Sequence, residues 1–338
     1  MNFLYESIID KGAVAFVDTS TASREEWLIL RRGGIGGSDA GAIMGVNKYA
    51  TPLSVYLSKK ENAQNVGNAA AEWGNILEEP IRQKTREEFG CRIETVPGMF
   101  TNRKHTFMNA NLDGLIYFNA ETQVGNGVAK GLCGHEIKTS HNGDDFTDDA
   151  VPESYYAQVQ HYMAVTGLET FILTAFIFSE YMGRHYVIPR NEKFIKNLIK
   201  IEQDFWENNI RSNVMPEPTG NENETEMLKN MPMAEVVTLD DESAAILDEK
   251  SRLDTEIKSL QEQSDILKEK ILIKMSEKSS DAETGINTVA ECGAWKISLT
   301  TQTAKRIDTA ALKKAGIYDA YSKESVSRVL RISQIKGT

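Results

Sequence analysis

Cysteine is scarce in this 338-residue sequence: Cys91, Cys133 and Cys292 stand far apart and are odd in number. That excludes a disulfide framework, and three thiolates cannot ligate an iron–sulfur cluster that normally takes four, so reduced, packed thiols are expected. The histidines, His105, His135, His141, His161 and His185, have no HExxH or CxxC companion, which argues against structural zinc. No glycine-rich stretch ends in GK[ST], so an ATP-binding P-loop is excluded. Long apolar runs are also missing. The longest, Phe171 to Phe178, is interrupted by Thr174 and is too short to span a bilayer. The N-terminus, MNFLYESIIDKG, lacks the positively flanked apolar stretch of a signal peptide. A soluble protein of the cytoplasm is the expectation.

The charge is unevenly spread. The formal net charge is −11, but residues 213–283 carry −10, residues 284–338 carry +5 and residues 1–212 carry −6. A polyanionic partner would have to meet local basic patches, because the whole chain offers no attractive field. The stretch 1–212 has the pattern of one mixed α/β unit. A helix is expected over 73–90, with Pro80 tolerable only near its first turns and Gly90 as the stop. Strand-like pieces follow at 105–118, around an Asp-Gly turn, and at 131–139, with a protruding loop from Asn119 to Lys130 between them. A helix over 153–166, strands at 171–178 and 185–188, and a closing helix over 191–211 complete a mixed sheet flanked by helices.

Residues 213–240, rich in Asn, Glu and Pro, are expected to be a linker. Residues 241–280 show an apolar seam at Ile246, Leu253, Leu260 and Leu267, with Ile257 and Ile271 offset by four. Lys250 and Ser264 interrupt the seam, which favours packing on another part of the protein or on a partner over a continuous parallel zipper. Residues 281–338 form a small basic α/β tail, with a strand pair around CGAWKISLTTQ, a short helix at 308–316 and a strand-like end at SRVLRISQ.

Oxygen ligands suit a hard divalent cation, and Asp113 with Glu136 supplies them. Glu136 and Lys138 lie two apart on a strand and so share a face, where a carboxylate and an ammonium act on the same water or phosphate. Ile137 packs on the opposite face, with its carbonyl free to reach a metal. Taken alone, the Glu136-Ile137-Lys138 triplet equally fits a surface ion pair. Glu78 on the preceding helix, and Gln158 and Tyr162 one helical turn apart on the following one, add context. Gly33, Gly34, Gly36 and Gly37 give a flexible backbone able to approach a phosphate.

Five ordered motifs carry a resemblance. They are Glu25-Glu26-Trp27 with Arg31 and Gly37-Ser38-Asp39; Trp73-Gly74 with Glu78; Asn111-Leu112-Asp113-Gly114; Glu136-Ile137-Lys138; and Gln158-Val159-Gln160-His161-Tyr162-Met163. Over roughly the first 210 residues they resemble the phage alkaline exonucleases, the lambda-exonuclease-like or YqaJ-type viral recombinases of the PD-(D/E)xK nuclease superfamily. The resemblance implies a restriction-endonuclease-like core. It implies catalytic roles for Glu78, Asp113, Glu136, Lys138, Gln158 and Tyr162. Mg²⁺, replaceable by Mn²⁺, would be bound by Asp113, Glu136, the Ile137 carbonyl and Glu78. Lys138 would orient or activate the attacking water. Arg31 and Ser38 fall where the family grips a DNA 5′-phosphate, with Asn111 in place of a serine as third contact and Leu112 in place of the usual proline.

The implied activity is 5′-to-3′ digestion of linear double-stranded DNA, leaving 3′ single-stranded tails for a single-strand annealing protein. A homo-oligomer such as a ring-shaped trimer, and a phage or prophage origin in a bacterial host, belong to the same resemblance. Two alternatives stay open at this point: a restriction-like or structure-specific endonuclease, and a non-catalytic module that binds DNA ends or a partner.

Overall fold

A computed structural model describes residues 3–60, 69–231, 238–277, 289–300 and 307–323, with the single residues 304, 330 and 332. In chain order, α1 (Glu6–Ile9) and β1 (Val14–Asp18) lead to α2 (Arg24–Arg32), β2 (Ile35–Gly36), α3 (Gly37–Ile43), α4 (Pro52–Ser58) and α5 (Ala69–Phe89). Strands β3 (Arg92–Glu94), β4 (Gly98–Asn102), β5 (Met108–Ala110), β6 (Gly114–Val124) and β7 (Gly127–Ser140) follow. Then come α6 (Glu153–Thr166), β8 (Thr170–Ile177), β9 (Met182–Pro189) and α7 (Glu192–Phe205).

Helix boundaries follow from local chemistry. Ser23 and Glu26 form a reciprocal capping box at the start of α2, and Thr51 caps α4, which has Pro52 in its first turn. Helix α6 begins after Pro152 and ends at Gly167, whose φ of 70° is the left-handed conformation of a helix stop. Helix α5 differs from expectation. It starts earlier, so Pro80 lies inside it. The lost bond would fall on the carbonyl of Ile76, which sits on an exposed turn where water can replace it.

Five strands form a mixed sheet in the order β3-β6-β7-β8-β9, with β7 and β8 parallel and the other pairs antiparallel. A second sheet has the order β1-β4-β5-β2. The expected mixed α/β architecture, sheets flanked by helices, is therefore present. The larger core packs α6 residues such as Val159 and Met163 against Leu173, Ala175 and Phe100; a second cluster lies around Ile116, Cys133 and Ile172. Burial on both faces explains why β8 has no polar alternation.

Two local expectations are corrected. Asp113-Gly114 is not a hairpin turn, because β5 and β6 belong to different sheets and the chain crosses between them at 111–113. Residues 119–130 are no protruding loop either. They continue β6 and β7 as one long hairpin with a bulge between Phe118 and Thr122. Its tip folds back on β9, where Asn126 Oδ1 accepts the Val187 N–H at 2.8 Å.

Two compact units divide the chain, Met1–Pro232 and Met233–Ser327. Within 213–240, the segment with the composition of a linker, α8 (Glu222–Lys229) packs on the first unit: Glu224 is buried and hydrogen-bonded to Thr51, and Asn223 donates to the Tyr49 carbonyl at 2.8 Å. The second unit contains α9 (Asp241–Glu277), a hairpin of β10 (Val289–Cys292) and β11 (Trp295–Ser298), and α10 (Thr309–Lys314). The strand-like SRVLRISQ end lies outside the described residues except for Leu330 and Ile332. No helix among the described residues is long and apolar enough to cross a membrane.

Candidate metal-dependent active site

The site forms where β6 leaves β7. Pairing of the two strands stops at Gly114 opposite His135, so the next backbone groups of β7 on that edge have no ladder partner. Ile137 fills the gap locally: its N–H donates to Asp113 Oδ2 at 2.7 Å. The N–H and C=O of one strand residue point to the same side, so the Ile137 carbonyl faces the same opening. Its side chain is buried on the other face of the sheet.

Glu136 and Lys138 project toward α6. Glu136 is 2 % exposed, and its Oε1 accepts from Lys138 Nζ and Gln158 Nε2, both at 2.6 Å. Gln158 Nε2 also donates to the Tyr162 hydroxyl at 3.0 Å. The geometry thus brings Asp113, Glu136, Ile137, Lys138, Gln158 and Tyr162 into one bonded cluster. Lys138 Nζ additionally lies 4.9 Å from the centre of the Tyr155 ring.

Electrostatics mark the cluster as short of positive charge. Burial, then the Asp113 carboxylate, pushes Glu136 up to about 8, and the same two causes push Glu78 up to about 7. Asp113 is also raised by burial, although Lys138, the Ile137 N–H and Arg82 oppose the shift. Burial works against charge on Lys138, but Glu136 and Asp113 outweigh it and hold the ammonium. The Tyr162 phenol is held well above its usual range by burial and by the carboxylates of Glu136 and Asp113.

A divalent cation fits this donor set. Glu136 Oε2 is buried without a hydrogen-bond partner, which is expensive unless something positive meets it. Among the described residues, no three His, Cys, Asp or Glu side chains already converge as a metal cluster. The donors would be two carboxylates and a backbone carbonyl, with Glu78 beside them. His135 is no further donor, being on the opposite sheet face and pushed down to about 3 by burial and by Arg82.

Sequence reasoning missed Arg82. Its guanidinium is 4 % exposed, donates to the Asp113 carbonyl at 2.8 Å, and lies 3.9 Å from Glu78. The signal was its position one helical turn after Glu78, on the same face.

A second cluster adjoins the first. Arg31 Nη2 donates to Ser38 Oγ at 3.0 Å, and the guanidinium lies 5.2 Å from the centre of the Trp27 ring. Neighbouring Asp39 would cancel this charge, but Lys59 neutralises it at 2.6 Å. Lys59 was not singled out from sequence, and nothing in its local pattern marks it. Asn111 is half-buried two residues before Asp113 and makes no hydrogen bond to Arg31 or Ser38.

The glycines here serve close approach, not flexibility. A Cβ on Gly37 would sit 2.4 Å from Tyr162 Cε1, and one on Gly34 would sit 2.4 Å from Asn109 Nδ2. Gly37→Ala is therefore expected to push α3 away from the tyrosine and cost about 1–3 kcal/mol of stability. Urea unfolding would show a lower midpoint at unchanged slope; an unchanged midpoint would contradict the contact.

Residues 26–169 match the family described as the YqaJ-like viral recombinase domain. The uncharacterised protein YqaJ of Bacillus subtilis (strain 168) is 28 % identical over 337 residues, 96 % of this chain and 99 % of that protein. Among solved structures, the alkaline exonuclease LHK-Exo from Laribacter hongkongensis, crystallised also in complex with dAMP, aligns with a TM-score of 0.45 at 20 % identity, covering 56 % of this chain and 94 % of that one. A phage-related exonuclease from Haemophilus somnus 129PT aligns with a TM-score of 0.40 at 16 % identity, covering 55 % and 99 %.

Proposed function

We propose, from the match of residues 26–169 to the YqaJ-like viral recombinase domain and from the site's donor set, that the chain is a Mg²⁺-dependent exonuclease. It digests linear double-stranded DNA 5′ to 3′ and leaves 3′ single-stranded tails for a single-strand annealing protein. The observation that carries this proposal is the juxtaposition of Asp113 and Glu136, each with an oxygen free of hydrogen bonds, beside the Lys138 ammonium.

Asp113, Glu136 and the Ile137 carbonyl would hold the cation, with Glu78 beside them; Mn²⁺ suits the same oxygen donors. When bound, the cation supplies charge neutralisation at the phosphate and an acidified water. The carboxylates of Glu136 and Asp113 favour the Lys138 ammonium. That ammonium orients the water and offsets negative charge as the phosphate is attacked. Gln158 fixes Glu136 through one amide hydrogen and Tyr162 through the other. Arg82 steadies the Asp113 backbone. A ring-shaped trimer around the DNA belongs to the same proposal.

Arg31 and Ser38 would receive the 5′-phosphate of the end being digested, since a guanidinium fork beside a hydroxyl matches phosphate oxygens. The parent protein should digest 5′-phosphorylated ends faster than 5′-hydroxyl ends, and Arg31→Ala should lose that preference by about tenfold or more, the loss of one charge-assisted contact. Equal rates on both ends in the parent would overturn the pocket.

Cation binding should depend on pH. Glu136 and Glu78 hold protons below about 8 and about 7, while the cation needs both ionised. Affinity for Mg²⁺ should therefore rise from about pH 6 to about pH 8.5, with protons released to the buffer. Calorimetry in buffers of different ionisation enthalpy reads both effects. Affinity independent of pH, with no proton release, would contradict the raised carboxylates.

A further inference from the structure

Helix α9 runs for 37 residues and carries its apolar seam in the open: Ile246 is 64 %, Leu260 57 % and Leu267 59 % exposed. At 1.5 Å per residue the helix is about 55 Å long. A stripe of this length with heptad spacing is a coiled-coil face awaiting a partner. We propose that the partner is a second copy of this chain, with the two α9 helices packed antiparallel.

Charge decides between the possible pairings. The seam is built from Ile246, Leu253, Leu260 and Leu267 in one row and Lys250, Ile257, Ser264 and Ile271 in the other. In a parallel pair in register, like positions meet, so Lys250 faces Lys250 within the seam, and Glu249 on its flank meets Asp254 of the other copy. Both contacts repel. An antiparallel pair sets each residue of one row beside a residue of the other row. Ile246 then meets Ile271, Ile257 meets Leu260, and Lys250 lies along Leu267 with its ammonium reaching water. Glu249 now stands opposite Lys270, and two-fold symmetry repeats that attraction at the other end. Within one chain Glu249 is held by Arg252 at 2.7 Å and Lys250 by Asp254 at 2.7 Å. These exposed pairs are weak enough to share their partners.

The pairing does not depend on the nuclease chemistry and, being two-fold, joins chains of different rings rather than neighbours within a three-fold ring; cross-linking tests it on the full chain. In a Cys292→Ser background, with Cys91 and Cys133 buried, Ile246→Cys and Ile271→Cys are made singly and together. Both side chains are exposed, so helicity by circular dichroism should be unchanged. Treatment with a short bismaleimide should give a covalent two-chain species in the double variant and none in either single variant. In the antiparallel pair, equivalent residues of the two copies are about 37 Å apart, beyond the reagent's reach. A two-chain species in either single variant would mean parallel pairing and overturn the proposal. Absence of that species in the double variant would mean that α9 does not pair with itself.

Discussion

Asp113→Asn and Lys138→Ala should each lower Mg²⁺-dependent hydrolysis of linear duplex DNA by at least about a thousandfold, roughly 4 kcal/mol of barrier. Asparagine keeps an oxygen for the Ile137 N–H, which Asp113 accepts at 2.7 Å, so the strand edge should stay closed while the negative charge on the cation side is lost. Alanine at 138 removes the ammonium bonded to Glu136 at 2.6 Å. Burial and Asp113 already press Glu136 toward its protonated form, and loss of Lys138 presses it further, so cation binding and water orientation fail together. Thermal unfolding should shift little in Asp113→Asn, because the site is short of positive charge without a bound cation. Undiminished digestion by either variant would refute the site.

His161→Leu should be among the most destabilising substitutions in the first unit, at about 3–5 kcal/mol. His161 and Glu202 have fully buried side chains, joined at 2.7 Å, and His161 Nε2 lies 2.9 Å from the Asn109 carbonyl. This links α6, α7 and β5. Removing the imidazole strands Glu202, whose second oxygen already lacks a partner, at a fully buried position. A companion His161→Leu/Glu202→Leu variant should recover much of the loss, because the stranded charge goes with its partner. Urea unfolding measures both. A His161→Leu protein as stable as the parent would mean that the pair does not hold these elements together.

The Glu136-Ile137-Lys138 triplet was readable because strand geometry places Glu136 and Lys138 on one face whatever the rest of the chain does. Gln158 and Tyr162 were readable for the same reason on a helix. What sequence could not supply was pairing between distant segments. Arg82 reaches Asp113 and Lys59 reaches Asp39 only once the helices dock. Glu202 has no local feature that points to His161. The glycines before Ser38 carried the right importance for a different reason, since their missing Cβ atoms admit Tyr162 and Asn109. Composition misled at 213–240, where Glu224 in a polar stretch turns out to be buried against Thr51. It misled again at 119–130, where a register bulge lets the strands continue.

The central claim, a metal-dependent exonuclease centred on Asp113 and Glu136, is tested most directly with 5′-end-labelled linear duplex and closed circular DNA digested in parallel with Mg²⁺. The expected result is release of label from the linear substrate, none without the cation, and an intact circle. Nicking of the circle, or release of label that persists in Asp113→Asn, would contradict it.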